Sequence, residues 1–194
     1  DIGGGTSDFT LCDRKNGQTQ VLASAGLRLG GTDFDKTLSL AHAMPLFGYG
    51  AQIGAALGAK THAAPRALYH DLASWEKIPF VYDGALLREV QRWTRLAPEP
   101  LLFERLADVL ESHLGHDVAY AVEAGKIAAN DAEAGEIMLE VVERGLSVRL
   151  AQVAMNAALE GAAQQIADMA LETLSMAECA PESVDQVVFV GGSS

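Results

Sequence analysis

Two short β-prone runs, Phe9 to Cys12 and Thr19 to Ser24, flank Asp13-Arg14-Lys15-Asn16-Gly17. The Asn-Gly pair favours positive φ and predicts a hairpin turn between them. Beyond Leu29-Gly30-Gly31, apolar residues recur at Phe34, Leu38, Ala41 and Met44, the spacing of one helix face. Thr32 or Asp33 is placed to cap that helix, and Pro45 ends it. The Gly- and Ala-rich stretch from Phe47 to Pro65 is expected to be a loop with at most a weak helical turn. Gly54 and Gly58 in it have GxxxG spacing, but their flanks are too short and polar for a membrane helix.

Helical periodicity then dominates. Asp83 is placed to cap residues 84–95, Pro100 opens a helix that Gly115 terminates, and Asp117 caps residues 118–130. Alternation over Ile137 to Val142 and Leu146 to Leu150, joined through Gly145, predicts a pair of strands. Asn156 to Ser175 carries the stripe of a long helix. Val187 to Val190 is continuously apolar, as expected of a strand buried on both faces, and it runs into Gly191-Gly192-Ser193-Ser194. This order predicts an α/β layer formed by residues 1–45 and 151–194, with a mostly helical subdomain, 46–150, inserted into it.

Composition is that of an ordinary globular chain of 194 residues, 49% apolar and 21% charged. The formal charge of −12 narrows the partners. Such a field repels phosphate backbones and anionic head groups, so neither nucleic acid nor a membrane surface is an expected partner. An anionic ligand would have to be held by local dipoles, a few cations or a metal. Two cysteines, Cys12 and Cys179, without CxxC pairing suit a reducing, cytoplasmic setting.

Three glycine-rich elements carry candidate chemistry. In Asp1-Ile2-Gly3-Gly4-Gly5-Thr6-Ser7-Asp8, consecutive glycines allow a tight turn whose N–H groups converge on phosphate oxygens, and Thr6 adds a hydroxyl. Asp1 and Asp8 are carboxylates suited to a hydrated Mg²⁺. In Leu29-Gly30-Gly31-Thr32-Asp33-Phe34-Asp35, glycines lead into a helix N-terminus, a second place for phosphate. In Val188-Phe189-Val190-Gly191-Gly192-Ser193-Ser194, Gly-Gly after a strand lets the backbone approach a flat ligand. Each is weak alone; an ordinary Gly-rich turn or a capped helix explains any one of them.

Together and in this order they resemble the seventy-kilodalton heat-shock chaperones, the DnaK family, within the actin, sugar-kinase and chaperone ATPase superfamily. DIGGGTSD is similar to that family's second phosphate motif, LGGTDFD to its GGxDFD segment and VVFVGGSS to its adenosine motif, while VEAGKIAAN looks like its adenosine-contacting helix. The loop MPLFGYG looks most like the YegD-type branch. The resemblance implies a ribonuclease-H-like, actin-like ATPase lobe, the second of two, cut from its partner lobe I in the same parent chain. It implies ATP or ADP with Mg as cofactors, and client polypeptides or co-chaperones as further partners.

Residue by residue, the resemblance implies that Gly3, Gly4, Gly5 and Thr6 hold the β- and γ-phosphates, with Asp1 and Thr6 nearest the chemistry. Asp1 and Asp8 would position the waters of Mg²⁺ or an accompanying monovalent cation, and Gly30 and Gly31 would lie beside phosphates and ribose. Glu123 and Lys126 would reach the ribose hydroxyls; otherwise they form an exposed i,i+3 ion pair. Gly191, Gly192 and Ser193 would pack against adenosine. Gly125, costly in a helix, is expected to permit close approach to the nucleotide. The departures are Ile127 for an adenine-stacking Arg, Asn130 for a serine, Thr32 for a Glu, and Ser7 for an aromatic residue. Losing the Arg predicts weaker adenosine binding. Two other functions remain open: a nucleotide-responsive scaffold that does not hydrolyse ATP, and a small-molecule kinase of the same superfamily. His113 and His116, near Glu111 and Asp117, are too few to suggest a metal site, and Trp75, Trp93 and Phe103 read as core or interface anchors of the insert.

Overall fold

β-branched and aromatic residues on either side of Gly17 fold back on each other as β1 (Ser7–Lys15) and β2 (Gln18–Leu27), antiparallel, with Phe9 opposite Ala25. Gly17 takes φ +79°, which an L-residue with a side chain seldom adopts. The structure is a computed structural model and describes residues 1–15, 17–54 and 61–192. Next come α1 (Gly31–Leu38), a π-helical turn Ser39–Ala43 and a 3₁₀ turn Met44–Phe47 that contains Pro45. Pro45 therefore does not stop the helix abruptly; it sits in a tightened last turn that Gly48, at φ +97°, closes.

The expected loop after Phe47 contains a small hairpin instead, β3 (Gln52–Gly54) with β4 (Thr61–Ala63). Gly58 lies outside the described residues. Four helices follow the hairpin in close succession: α2 (Arg66–Leu72), α3 (Gly84–Leu96), α4 (Pro100–Glu111) and α5 (Gly115–Asp131). Asp83 caps α3 as expected, its carboxylate accepting from Leu86 N at 3.4 Å. Gly115 does not terminate α4. It begins α5, where its N–H donates to Tyr82 Oη at 3.0 Å, and Asp117 sits in the first turn rather than at the cap.

The predicted strand pair is present as β5 (Ala134–Met138) and β6 (Ser147–Ala151), with the first strand earlier than expected. Leu139 to Val142 turns instead, with Val142 N bonded to Leu139 O at 2.9 Å. Finally α6 spans Gln152–Met176. The chain is thus α/β, with three two-stranded antiparallel sheets among the described residues. No helix among them is long and apolar enough to cross a membrane.

Contacts divide the chain into two units, Asp1–Phe34 with Leu159–Ser194, and Asp35–Ala158. The second holds most of the buried apolar side chains, including Leu38, Phe47, Tyr69, Phe103, Ile137 and Leu150. Trp93 is buried edge-on to Phe103, whereas Trp75 is partly exposed beside His116 and Tyr120. In the first unit, the apolar run Val187 to Val190 forms no strand and is at least half exposed. The one backbone bond it makes to the N-terminal segment among the described residues, Ile2 N to Val190 O at 2.8 Å, cannot make a ladder, so the burial expected of it is absent.

Candidate functional site

The N-terminal segment returns on itself ahead of β1. Asp8 N donates to Asp1 O at 2.8 Å, Asp1 N to Asp8 O at 2.8 Å, and Gly3 N to Thr6 O at 2.9 Å. Asp1 and Asp8 are therefore directly opposed, and opposed residues of an antiparallel pair project to the same face. Thr6, two residues before Asp8, shares that face, and its hydroxyl donates to Asp8 Oδ2 at 3.2 Å. All three are exposed. Ser7 faces the other way; fully buried, its Oγ donates to Leu29 O at 2.7 Å. The place where the resemblance expects an aromatic residue thus anchors the following glycine loop.

The turn between Gly3 and Thr6 is open. Gly3 O accepts from Gly31 N at 2.9 Å, and Gly4 O accepts from both Thr32 N and Thr32 Oγ1 at 2.8 Å. In a planar trans peptide the N–H points opposite the C=O of the same unit. Turning the Gly3 and Gly4 carbonyls onto α1 therefore turns the Gly4 and Gly5 N–H groups away from it. Neither these nor Thr6 N has an acceptor among the described residues. An outward row of backbone donors results, next to two carboxylates and a hydroxyl.

This differs from the expectation that the helix N-terminus itself offers free donors. Gly31 N and Thr32 N are committed to the hairpin, Asp33 N and Phe34 N to Gly30 O, and Gly30 N to Asp33 Oδ2 at 3.0 Å. Asp33 thus reaches back as the second half of a capping box does, while Thr32 ties α1 to the hairpin. Gly30 is obligatory for this packing: a Cβ there would lie 2.6 Å from Gly3 O and 2.7 Å from Gly4 C. Gly4 and Gly5 are different. A Cβ on either meets nothing within 4 Å, and neither has a φ that excludes side chains. Nothing within the described residues demands glycine at these two positions.

Gly191, at φ +105°, turns beside the same segment; a Cβ on it would overlap Asp1 Oδ1 and Ile2 O. Gly192 is exposed, and Ser193 lies outside the described residues. No protein-family model matches the chain.

In the second unit, Glu123, Lys126, Ile127 and Asn130 share one face of α5 by their i, i+3, i+4, i+7 spacing. Glu123, Ile127 and Asn130 are exposed. Lys126 does not pair with Glu123: its Nζ lies 2.7 Å from Asp35 Oδ1. Burial raises the Asp35 pKa above the ordinary carboxylate value, Lys126 opposes that rise, and Glu123 adds to it. Gly125 makes a close approach within the protein itself. It is buried, and a Cβ there would stand 2.7 Å from Ile137 Cγ1 and 3.2 Å from Glu136 O, so its close approach is to β5.

Sequence reasoning missed the Asp35–Lys126 pair and the matching glycine at 135. Asp35 closes the LGGTDFD motif, but nothing local marks a partner 91 positions away. His113 stacks on Tyr82 at 4.2 Å and His116 meets Trp75 edge-on at 4.5 Å; no group of three or more His, Cys, Asp or Glu side chains placed to hold a metal ion occurs among the described residues.

Proposed function

We propose that this chain is the nucleotide-binding second lobe of a DnaK-like ATPase of the YegD type, an actin-like fold in which the Gly3–Thr6 hairpin holds the phosphates of ATP or ADP. The observation that carries the reading is the pair of outward N–H groups at Gly4 and Gly5, with the Thr6 N–H beside them also lacking an acceptor among the described residues. The donors of α1 are bonded to the carbonyls behind that row, so its dipole is relayed through two peptides rather than lost. An anion there needs no basic side chain, which suits a chain of charge −12.

Asp1 and Asp8 fit a hydrated divalent cation. Directly opposed like charges are unfavourable, and an Mg²⁺ with its waters would relieve them while neutralising phosphate charge. The freedom of Gly4 and Gly5 from any internal steric demand agrees with a glycine requirement imposed by a ligand. By the resemblance, lobe I supplies the groups that activate water, so this chain alone turns over ATP negligibly.

The test is amide NMR of the chain titrated with Mg·ADP. The Gly4, Gly5 and Thr6 resonances should move together, and Gly4→Ala/Gly5→Ala should lower affinity about tenfold or more without lowering Tm. Unmoved hairpin amides at saturating nucleotide would refute the assignment. A non-hydrolysing scaffold is the second reading, favoured by Ile127, which is 53% exposed where an adenine-stacking Arg is expected. Calorimetry with ATP and ADP on the full-length parent, followed by a turnover assay, separates it from the first.

A further inference from the structure

Helix α3 buries Val90 and Trp93 and turns a different face outward. On that face Arg88, Arg92 and Arg95 recur at i, i+4 and i+7, and with Ala85 and Gln91 they line a groove of about 460 Å³. At 1.5 Å rise per residue the three arginine positions span about 10 Å of the helix axis. None of them has a hydrogen bond or ion pair among the described residues. The chain has 26 acidic and only 14 basic residues, so three unpaired cations on one helix face oppose the general balance. Like charges at this spacing also repel, so helix stability does not explain them. Glu89 is the sole acidic residue of α3.

We propose that this face docks a short acidic segment of a partner protein, with about three carboxylates presented over one to two helical turns. Guanidinium groups hold carboxylates through paired, planar hydrogen bonds, and arginine is the basic residue best suited to such contacts. The length of the groove selects a short segment. A nucleic acid or an anionic membrane continues past 10 Å and meets the field of a chain with charge −12, whereas a local carboxylate cluster does not. The inference rests on α3 alone and does not depend on nucleotide binding.

The experiment is fluorescence anisotropy with the full chain and a labelled alanine-rich peptide bearing Glu at i, i+4 and i+7. Its Gln counterpart and a single-stranded DNA serve as comparisons. The Glu peptide should bind about tenfold tighter than the Gln peptide and weaken steadily between about 0.05 and 0.5 M salt. The triple variant Arg88→Gln/Arg92→Gln/Arg95→Gln should lose about tenfold, and Arg92→Gln alone about two- to threefold. These side chains are exposed, so circular dichroism should show both variants folded. Equal binding of the two peptides, or full retention of binding in the triple variant, overturns the proposal. Tighter binding of DNA through the same arginines overturns it in favour of a phosphate polymer.

Discussion

Replacing Gly125 by alanine sets two magnitudes against each other. Alanine is about 1 kcal/mol better than glycine in a helix interior, so an uncrowded site would be stabilised. Here the new methyl would stand 2.7 Å from Ile137 Cγ1 and 3.2–3.3 Å from the Glu136 carbonyl. Ile137 is fully buried and β-branched, so it has little freedom to yield, and the Glu136 backbone is held in the β5–β6 ladder. Overpacking of this kind costs about 1–3 kcal/mol, which against that gain leaves Gly125→Ala about 0–2 kcal/mol less stable than the parent. Gly135→Ala is the harsher partner experiment. Its Cβ would overlap Gly125 O and lie 2.6 Å from Ala129 N, both backbone atoms of α5, and about 3 kcal/mol or more is expected to be lost. Urea unfolding followed by far-UV circular dichroism measures both, and Tm should fall by about 2–4 °C per kcal/mol. A cycle with Ile137→Ala should show a coupling above about 0.5 kcal/mol, because removing the isoleucine removes the clash. If Gly125→Ala were about 1 kcal/mol more stable than the parent, as at an uncrowded site, the close crossing of α5 and β5 would be wrong. If stability were unchanged and only nucleotide affinity fell, the glycine would serve a ligand instead.

Gly30→Ala should unfold the Gly3–Thr6 turn from α1 and lower stability by about 2 kcal/mol, since the obstructing atoms are backbone; unchanged Tm would contradict that packing. Lys126→Met should cost about 1–3 kcal/mol at pH 7, between the values for exposed and fully buried pairs, because it leaves the Asp35 carboxylate without its cation. Burial raises the folded pKa of Asp35, so the folded chain holds that proton more tightly than the unfolded chain does and gains stability from it. That stability is complete below the unfolded value of about 3.8 and is lost as pH rises through the folded value. Removing Lys126 raises the folded pKa further, so the cost of the variant should shrink towards pH 4, and a pH-independent cost in urea titrations would refute the pairing.

What was legible in the sequence was local. The pairing of β1 with β2 about Gly17, the Asp83 cap and the long α6 stripe depend on residues within a few positions of one another, and each is found, although Asn16 itself lies outside the described residues. Sequence and structure part where a neighbour distant in sequence decides. Val187 to Val190 has the composition of a buried strand, but burial requires strands on its flanks, and among the described residues it has only a single backbone bond, from Ile2. Gly115 looks like a helix stop, but Tyr82 takes its N–H and the next helix begins there. Lys126 sits three residues from Glu123 as a surface pair would, yet the partly buried Asp35 competes better, because a cation there offsets a desolvated carboxylate.

The glycines make the same point for the candidate site. In the sequence, Gly4, Gly5, Gly30 and Gly125 all read as motif positions close to a nucleotide. In three dimensions they separate by what a Cβ would meet. At Gly30 and Gly125 it would meet the protein's own backbone or core, so those glycines are required by the fold with or without a ligand. At Gly4 and Gly5 it would meet open space beside unpaired N–H donors, so the fold places no steric demand for glycine there. Alanine substitution should therefore separate stability from binding at the two pairs in opposite directions. That opposition tests the phosphate hairpin more sharply than loss of activity would, because a merely misfolded variant cannot reproduce it.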